Sequence, residues 1–317
     1  MEKIIDVHGH LLPKVYIDAL KKHDAVLEDG FPPPEWTAEK QEEFMDTMNI
    51  TWCLMSLSSP HPYFGDVEES KDLCRAINEV AADFKKKHPG RAGFSAVLPL
   101  PDVQAAIDEA VYALDVLGAD GIKLASNSRG QYIGDKELEP LMSELNKRGV
   151  VINIHPHRPA KMAENVFSAG PVSLFEFLCD TTRAVMNIIA NGVLERYENI
   201  KFIVPHNGSF LPNIYQRFQG LMAILAPKGL MPDVDVKKCV SKLYFDTAGH
   251  PCPHLLDFLL TITDDRHIMY GTDFPYTGIP EITGNLNALR DKLNNSQSID
   301  AGRIMYGNAK ELFGLSV

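Results

Sequence analysis

The chain ends one β-rich run, Lys3-Ile4-Ile5-Asp6-Val7-His8-Gly9-His10, in two histidines spaced two apart. Side chains alternate faces along a strand, so both imidazoles point to one side and can reach one metal ion. Taken alone, an H-x-H pair is equally well a strand end with two solvated histidines. Later runs supply partners: His155 in Ile154-His155-Pro156-His157, His206 in Val204-Pro205-His206-Asn207-Gly208, and Asp273 in Gly271-Thr272-Asp273-Phe274-Pro275. Three neutral imidazoles and one carboxylate suit zinc or a similar divalent ion, with a coordination position left for water or substrate.

Groups so far apart in sequence need rigid elements to bring them together. The pattern predicts strands over 3–10, 50–57, 91–98, 122–124, 150–155, 200–205, 242–245 and 267–270. Between them it predicts helices over 13–23, 37–48, 67–88, 103–117, 137–148, 175–195, 212–225 and 254–261, and mainly helix from 282 onward. Thr37 is placed to cap the helix over 37–48, and Gly149 to end the helix over 137–148. The run 150–155 is continuously apolar, as in a strand buried on both faces. Eight strands alternating with helices predict an α/β fold, a parallel sheet closed into a (β/α)8 TIM-type barrel of one domain over 1–317. An open doubly wound sheet is the alternative, weakened because no Gly-x-Gly-x-x-Gly turn follows the first strand. A barrel puts catalytic groups at the C-terminal strand ends, and the four histidines and Asp273 fall there.

Composition narrows the partners. A formal net charge of -11 over 317 residues argues against a nucleic-acid footprint or an anionic membrane surface and leaves a small-molecule substrate. The five cysteines show no C-x-x-C spacing, which fits reduced thiols in a cytoplasmic protein. No secretory leader and no stretch of ~20 apolar residues is visible.

The motifs Asp-x-His-x-His, His-Pro, Pro-His-x-Gly and Gly-Thr-Asp-Phe-Pro together resemble the amidohydrolase-2 family, whose members include aminocarboxymuconate-semialdehyde and γ-resorcylate decarboxylases. The stretches Cys179-Asp180-Thr181-Thr182-Arg183-Ala184, Gly192-Val193-Leu194-Glu195-Arg196-Tyr197 and Tyr244-Phe245-Asp246-Thr247-Ala248-Gly249 extend the likeness. The resemblance implies metal ligation by His8, His10, His155 and Asp273, with His206 as the catalytic histidine. Asp273 would both bind the ion and move a proton, and an imidazole, titrating near ~6.5, suits proton transfer at neutral pH. It implies one divalent ion, zinc or else manganese, and a homodimer.

The implied reaction is non-oxidative decarboxylation of an aromatic or unsaturated carboxylic acid. Hydrolysis of a lactone or amide, or hydration of a double bond, uses the same residues; a non-catalytic metal-binding barrel is the reading from another class. One departure from the family stands out: residues 40–46, on the helix before the second strand, carry no arginine for a substrate carboxylate. Arg158, Arg129, Arg217 or Lys123 would have to supply that cation. His157 is placed at the pocket mouth, and Phe64, after the second strand, is placed to close over a planar substrate. Lys123 has a second reading, as a bridge between two metals, and Asp6 is read as a partner that orients the neighbouring histidines.

Overall fold

Apolar, β-branched runs form eight parallel strands in sequential order. They are β1 (Ile4–His10), β2 (Ile50–Ser56), β3 (Ala92–Val97), β4 (Gly121–Ala125), β5 (Val151–His155), β6 (Lys201–Val204), β7 (Tyr244–Asp246) and β8 (Ile268–Met269). The computed structural model describes residues 3–163 and 170–317. β8 has two residues, so much of the closure onto β1 is made beyond it. Val7 N donates to the Tyr270 carbonyl at 3.0 Å, and His10 N to the Phe274 carbonyl at 2.8 Å. The result is the expected (β/α)8 barrel.

Helices cover the outside, and their ends follow local chemistry. Thr37 accepts from Lys40 N, Asp66 from Glu69 N and Asp102 from Ala105 N, each satisfying an amide that the first turn leaves free. Gly149 ends Glu139–Arg148 at φ 62°, as its position predicts. The apolar residues between strands and helices form the main core. A second cluster of Ile5, Val7, Trp52, Leu54, Val151, Ile203 and Met269 packs against Ala309 and Phe313 of the C-terminal segment.

Three local features differ from expectation. The helix predicted over 175–195 is two pieces, Glu176–Ala190 and Val193–Arg196, broken where Gly192 takes φ 66°. A small hairpin, Asn127–Ser128 with Gln131–Tyr132, follows β4; strands of two residues leave no periodicity to read. A further short helix, Val236–Val240, is capped by Asp235.

Candidate metal centre and active-site cavity

β1 pairs with β2 through a register shift between Asp6 and Gly9, a bulge at the rim of the kind that re-aims side chains. His8 and His10 still converge, their ring centroids 4.9 Å apart and nearly perpendicular. Gly9 between them has no room for a side chain, since a Cβ there would lie 2.7 Å from Cys53 Sγ. Gly271 faces the same constraint from across the seam, 2.8 Å from His8 Cβ.

Each of the three strand-end histidines has its Nδ1 engaged away from the centre. His8 Nδ1–H donates to Asp246 Oδ2 at 2.8 Å, His10 Nδ1–H to the Ser56 carbonyl at 3.2 Å, and His155 Nδ1–H to the Pro156 carbonyl at 2.9 Å. Carbonyl and carboxylate oxygens only accept, so in the neutral rings these bonds fix the tautomer and turn the Nε2 lone pair to the centre. His10 Nε2 lies 2.9 Å from Asp273 Oδ1, and His8 Nε2 lies 3.6 Å from the same oxygen. One ligand atom from each of His8, His10, His155 and Asp273 falls within 4.8 Å of all the others.

The electrostatics fit a cation at that centre. Burial depresses the pKa of His10 and His155, keeping both rings neutral. Burial pushes the Asp273 carboxyl up, but the His10 and His206 rings beside it hold it well below the ordinary carboxylate range. A neutral imidazole lone pair and a carboxylate oxygen at 2.9 Å are two facing acceptors, which a cation between them reconciles. Among the described residues His8 Nε2 is buried with no hydrogen-bond partner, the orphan such an ion would satisfy. Burial also opposes charge on His8, yet Asp246, then Asp273 and Asp6, raise its pKa to about 9.

His206 follows β6 in a left-handed turn with φ 55°, as does Asn207. Strain of this kind concentrates where geometry serves a site. Its backbone N–H donates to Asp246 Oδ1 at 3.0 Å, and its Nε2 lies 3.6 Å from Asp273 Oδ2. Asp273 is left-handed too, at φ 64°. Its two oxygens therefore face different partners, Oδ1 the strand-1 histidines and Oδ2 His206.

A cavity of about 480 Å³ opens beside these groups, in the range of small-molecule sites. His155, His206 and Asp273 line it together with Phe31, Phe177, Leu178, Phe210, Leu255 and Tyr276, and Asp29 and Asn207 add polar edges. Among the described residues, no lysine or arginine lines it.

The residues predicted to touch substrate are placed elsewhere. Lys123 is buried in β4 and donates to the Ser58 carbonyl at 3.2 Å, and it does not line the cavity. His157 is buried with its Nδ1 3.0 Å from Ser59 Oγ. Phe64 stacks on His23, centroids 4.4 Å apart. Arg158 is exposed and donates to the Glu28 carbonyl, Arg129 donates to the Tyr63 carbonyl, and Arg217 is an exposed helix residue. Asp6 corrects another expectation: it accepts from the His8 backbone N–H and from the Thr272 amide and hydroxyl, and orients no imidazole ring. That duty belongs to Asp246, a residue of the Tyr-Phe-Asp-Thr motif to which the sequence reading gave no role.

A barrel whose C-terminal rim gathers three imidazoles and a carboxylate beside an apolar cavity defines a metal-dependent (β/α)8 enzyme. The amidohydrolase family model (Amidohydro_2) matches residues 5–315, and the chain belongs to that family. It is 33% identical to decarboxylase yanB of Aspergillus niger, covering 88% of this chain and 78% of that protein. It is 31% identical to 6-methylsalicylic acid decarboxylase acuB of Aspergillus aculeatus, covering 86% and 84%. Among solved structures, an amidohydrolase II superposes with a TM-score of 0.90 at 35% identity, over 98% of this chain and 99% of that one. A dihydroxybenzoic acid decarboxylase from Polaromonas, with bound manganese and the inhibitor 2-nitroresorcinol, superposes at 0.81 with 19% identity, over 100% and 98%.

Proposed function

We propose that this protein is a metal-dependent, non-oxidative decarboxylase of aromatic carboxylic acids. The observation that carries the reading is one compact donor set, His8, His10, His155 and Asp273, two of whose members, His155 and Asp273, open with His206 onto an apolar-walled cavity. The decarboxylases among its relatives, one named for 6-methylsalicylic acid, support the same chemistry.

When held by His8, His10, His155 and Asp273, the ion supplies a fixed positive charge that binds an anionic substrate and draws electron density from it. With no lysine or arginine on the described cavity wall, that charge also stands in for the arginine missing from residues 40–46. Asp273 is the acid. His206 passes a proton to Asp273 Oδ2, the oxygen turned towards it, and Asp273 delivers that proton to the ring carbon bearing the carboxylate. The bond from ring carbon to carboxylate then breaks, its electron pair restores the aromatic ring, and carbon dioxide leaves. Phe31, Phe177, Phe210 and Tyr276 hold the ring and exclude water from the proton path. The reading takes zinc as the resident ion, with manganese the alternative, and a cytoplasmic homodimer as the working form.

Elemental analysis together with carbon dioxide release from a panel of 2-hydroxybenzoates tests it. About one equivalent of ion and stoichiometric carbon dioxide are expected, with Asp273→Asn losing roughly 10³-fold or more in kcat. Normal turnover in an ion-loaded Asp273→Asn protein would overturn Asp273 as the acid. The cation-free wall favours one rival, hydrolysis of a lactone or amide. That reading takes over if such compounds are cleaved and no aromatic acid releases carbon dioxide.

A further inference from the structure

We propose that Asp29 selects the substrate by accepting a hydrogen bond from a hydroxyl on the aromatic ring. This rests on the decarboxylase reading and names the substrate class within it: aromatic acids bearing a ring hydroxyl that reaches Asp29.

Asp29 lines the cavity and is 5% exposed. One of its carboxylate oxygens, Oδ1, is buried with no hydrogen-bond partner among the described residues. Ser59 stands beside the carboxylate and lowers its pKa, and its hydroxyl is held by His157 Nδ1 at 3.0 Å. The Asp29 carbonyl accepts from Val172 N at 2.9 Å, and a Cβ on Gly30 would sit 2.8 Å from Pro171 Cα, so the loop is pinned against its neighbour. The nearby cations are committed elsewhere, Lys123 to the Ser58 carbonyl and Arg158 to the Glu28 carbonyl. Burial raises the Asp29 carboxyl to about 6, against the opposing effect of Ser59. At neutral pH it is therefore mainly an anion, and among the described residues it has no ion-pair partner. A buried acceptor left in that state calls for a donor from the ligand.

Its position sets the substrate's direction. Tyr276 shares the cavity wall with Asp29 and Asp273: its ring meets His10 edge-on at 5.5 Å, and its hydroxyl donates to the Ser59 carbonyl at 3.2 Å. A substrate carboxylate is repelled by Asp29 and drawn to the metal centre. The ring then lies along the apolar wall and offers its hydroxyl to Asp29. Sites built to bind a hydroxyl reject analogues that lack it far more strongly than apolar pockets reject an extra methyl.

Nitro compounds, in which a nitro group replaces the carboxylate and cannot leave as carbon dioxide, allow binding to be read apart from turnover. The ion-loaded protein is titrated with 2-nitroresorcinol, 4-nitroresorcinol and 2-nitrohydroquinone, and with the mono-O-methyl ether of each. We expect at least one dihydroxy compound to bind about tenfold or more tightly than its ether. In Asp29→Leu that preference falls to within about twofold, and Asp29→Asn, the milder change, lowers it as well. A wild type without preference, or a preference unchanged in both variants, overturns the proposal. Carbon dioxide release from the matching dihydroxybenzoates is measured alongside. Preference without carbon dioxide refutes the decarboxylase reading and leaves Asp29 as a hydroxyl acceptor; carbon dioxide without preference refutes the role of Asp29 alone.

Discussion

Asp246 is outside the donor set, yet it holds three parts of the centre in place. Its carboxylate accepts from the His8 ring and from the backbone amides of His206 and Ala248, and these interactions, His8 foremost, keep its pKa low against the cost of burial. Asp246→Asn keeps the shape but removes the charge that fixes the His8 tautomer. Ion affinity should fall about 10–100-fold, read by chelator competition, while the folded content stays near wild type. The five chemical groups at the rim were legible in the sequence because histidines and a carboxylate closing apolar runs are unusual and the runs have a period. Asp246 was visible as part of a motif, but its task depends on which ring it meets across the barrel, and that is a fact of three dimensions. Asp29 lies in a turn-rich stretch without periodicity, so nothing local marked it.

At the scale of elements, strand ends and the turns after them do the positioning. The bulge in β1 and the left-handed residues after β6 and β8 aim the rings, and the two tight glycines make room for them. Gly271→Ala drives a methyl group towards His8 Cβ and should cost roughly 1–3 kcal/mol in urea unfolding, with loss of bound ion. Gly284, inside the helix Ile279–Asn294 with open space around it, is the contrasting case. There Gly284→Ala should stabilise by about 0.5–1 kcal/mol and leave ion content alone. The long helices and their caps were readable because cap residues carry their own chemistry. β8 was readable too, at Ile268–Met269 within the predicted 267–270, but the hairpin after β4 was not, since two-residue strands exist through pairing with a partner rather than through their own pattern.

For the whole molecule, the centre ties stability to ion and proton concentrations. Burial works against a proton on His8, but Asp246 with Asp273 and Asp6 raises its pKa to about 9, so below that pH a proton competes with an ion for the ring. An ion displaces that proton, and lower pH therefore weakens ion binding. Saturation at about 100 Kd should add about 2.7 kcal/mol, raising Tm by several degrees at pH 8, with the rise shrinking towards pH 6. Differential scanning calorimetry with and without chelator checks both the rise and its pH trend. The barrel's closing seam gives this coupling a mechanical side. Asp273 N donates to the His8 carbonyl at 2.7 Å, and His10 N to the Phe274 carbonyl at 2.8 Å, so two of the stitches that join the last strand to the first involve the metal-holding residues themselves. A breath that parts this seam also pulls the claw open. The rate at which the ion is exchanged is then set by how often the barrel wall opens, and a tighter wall makes a slower leak.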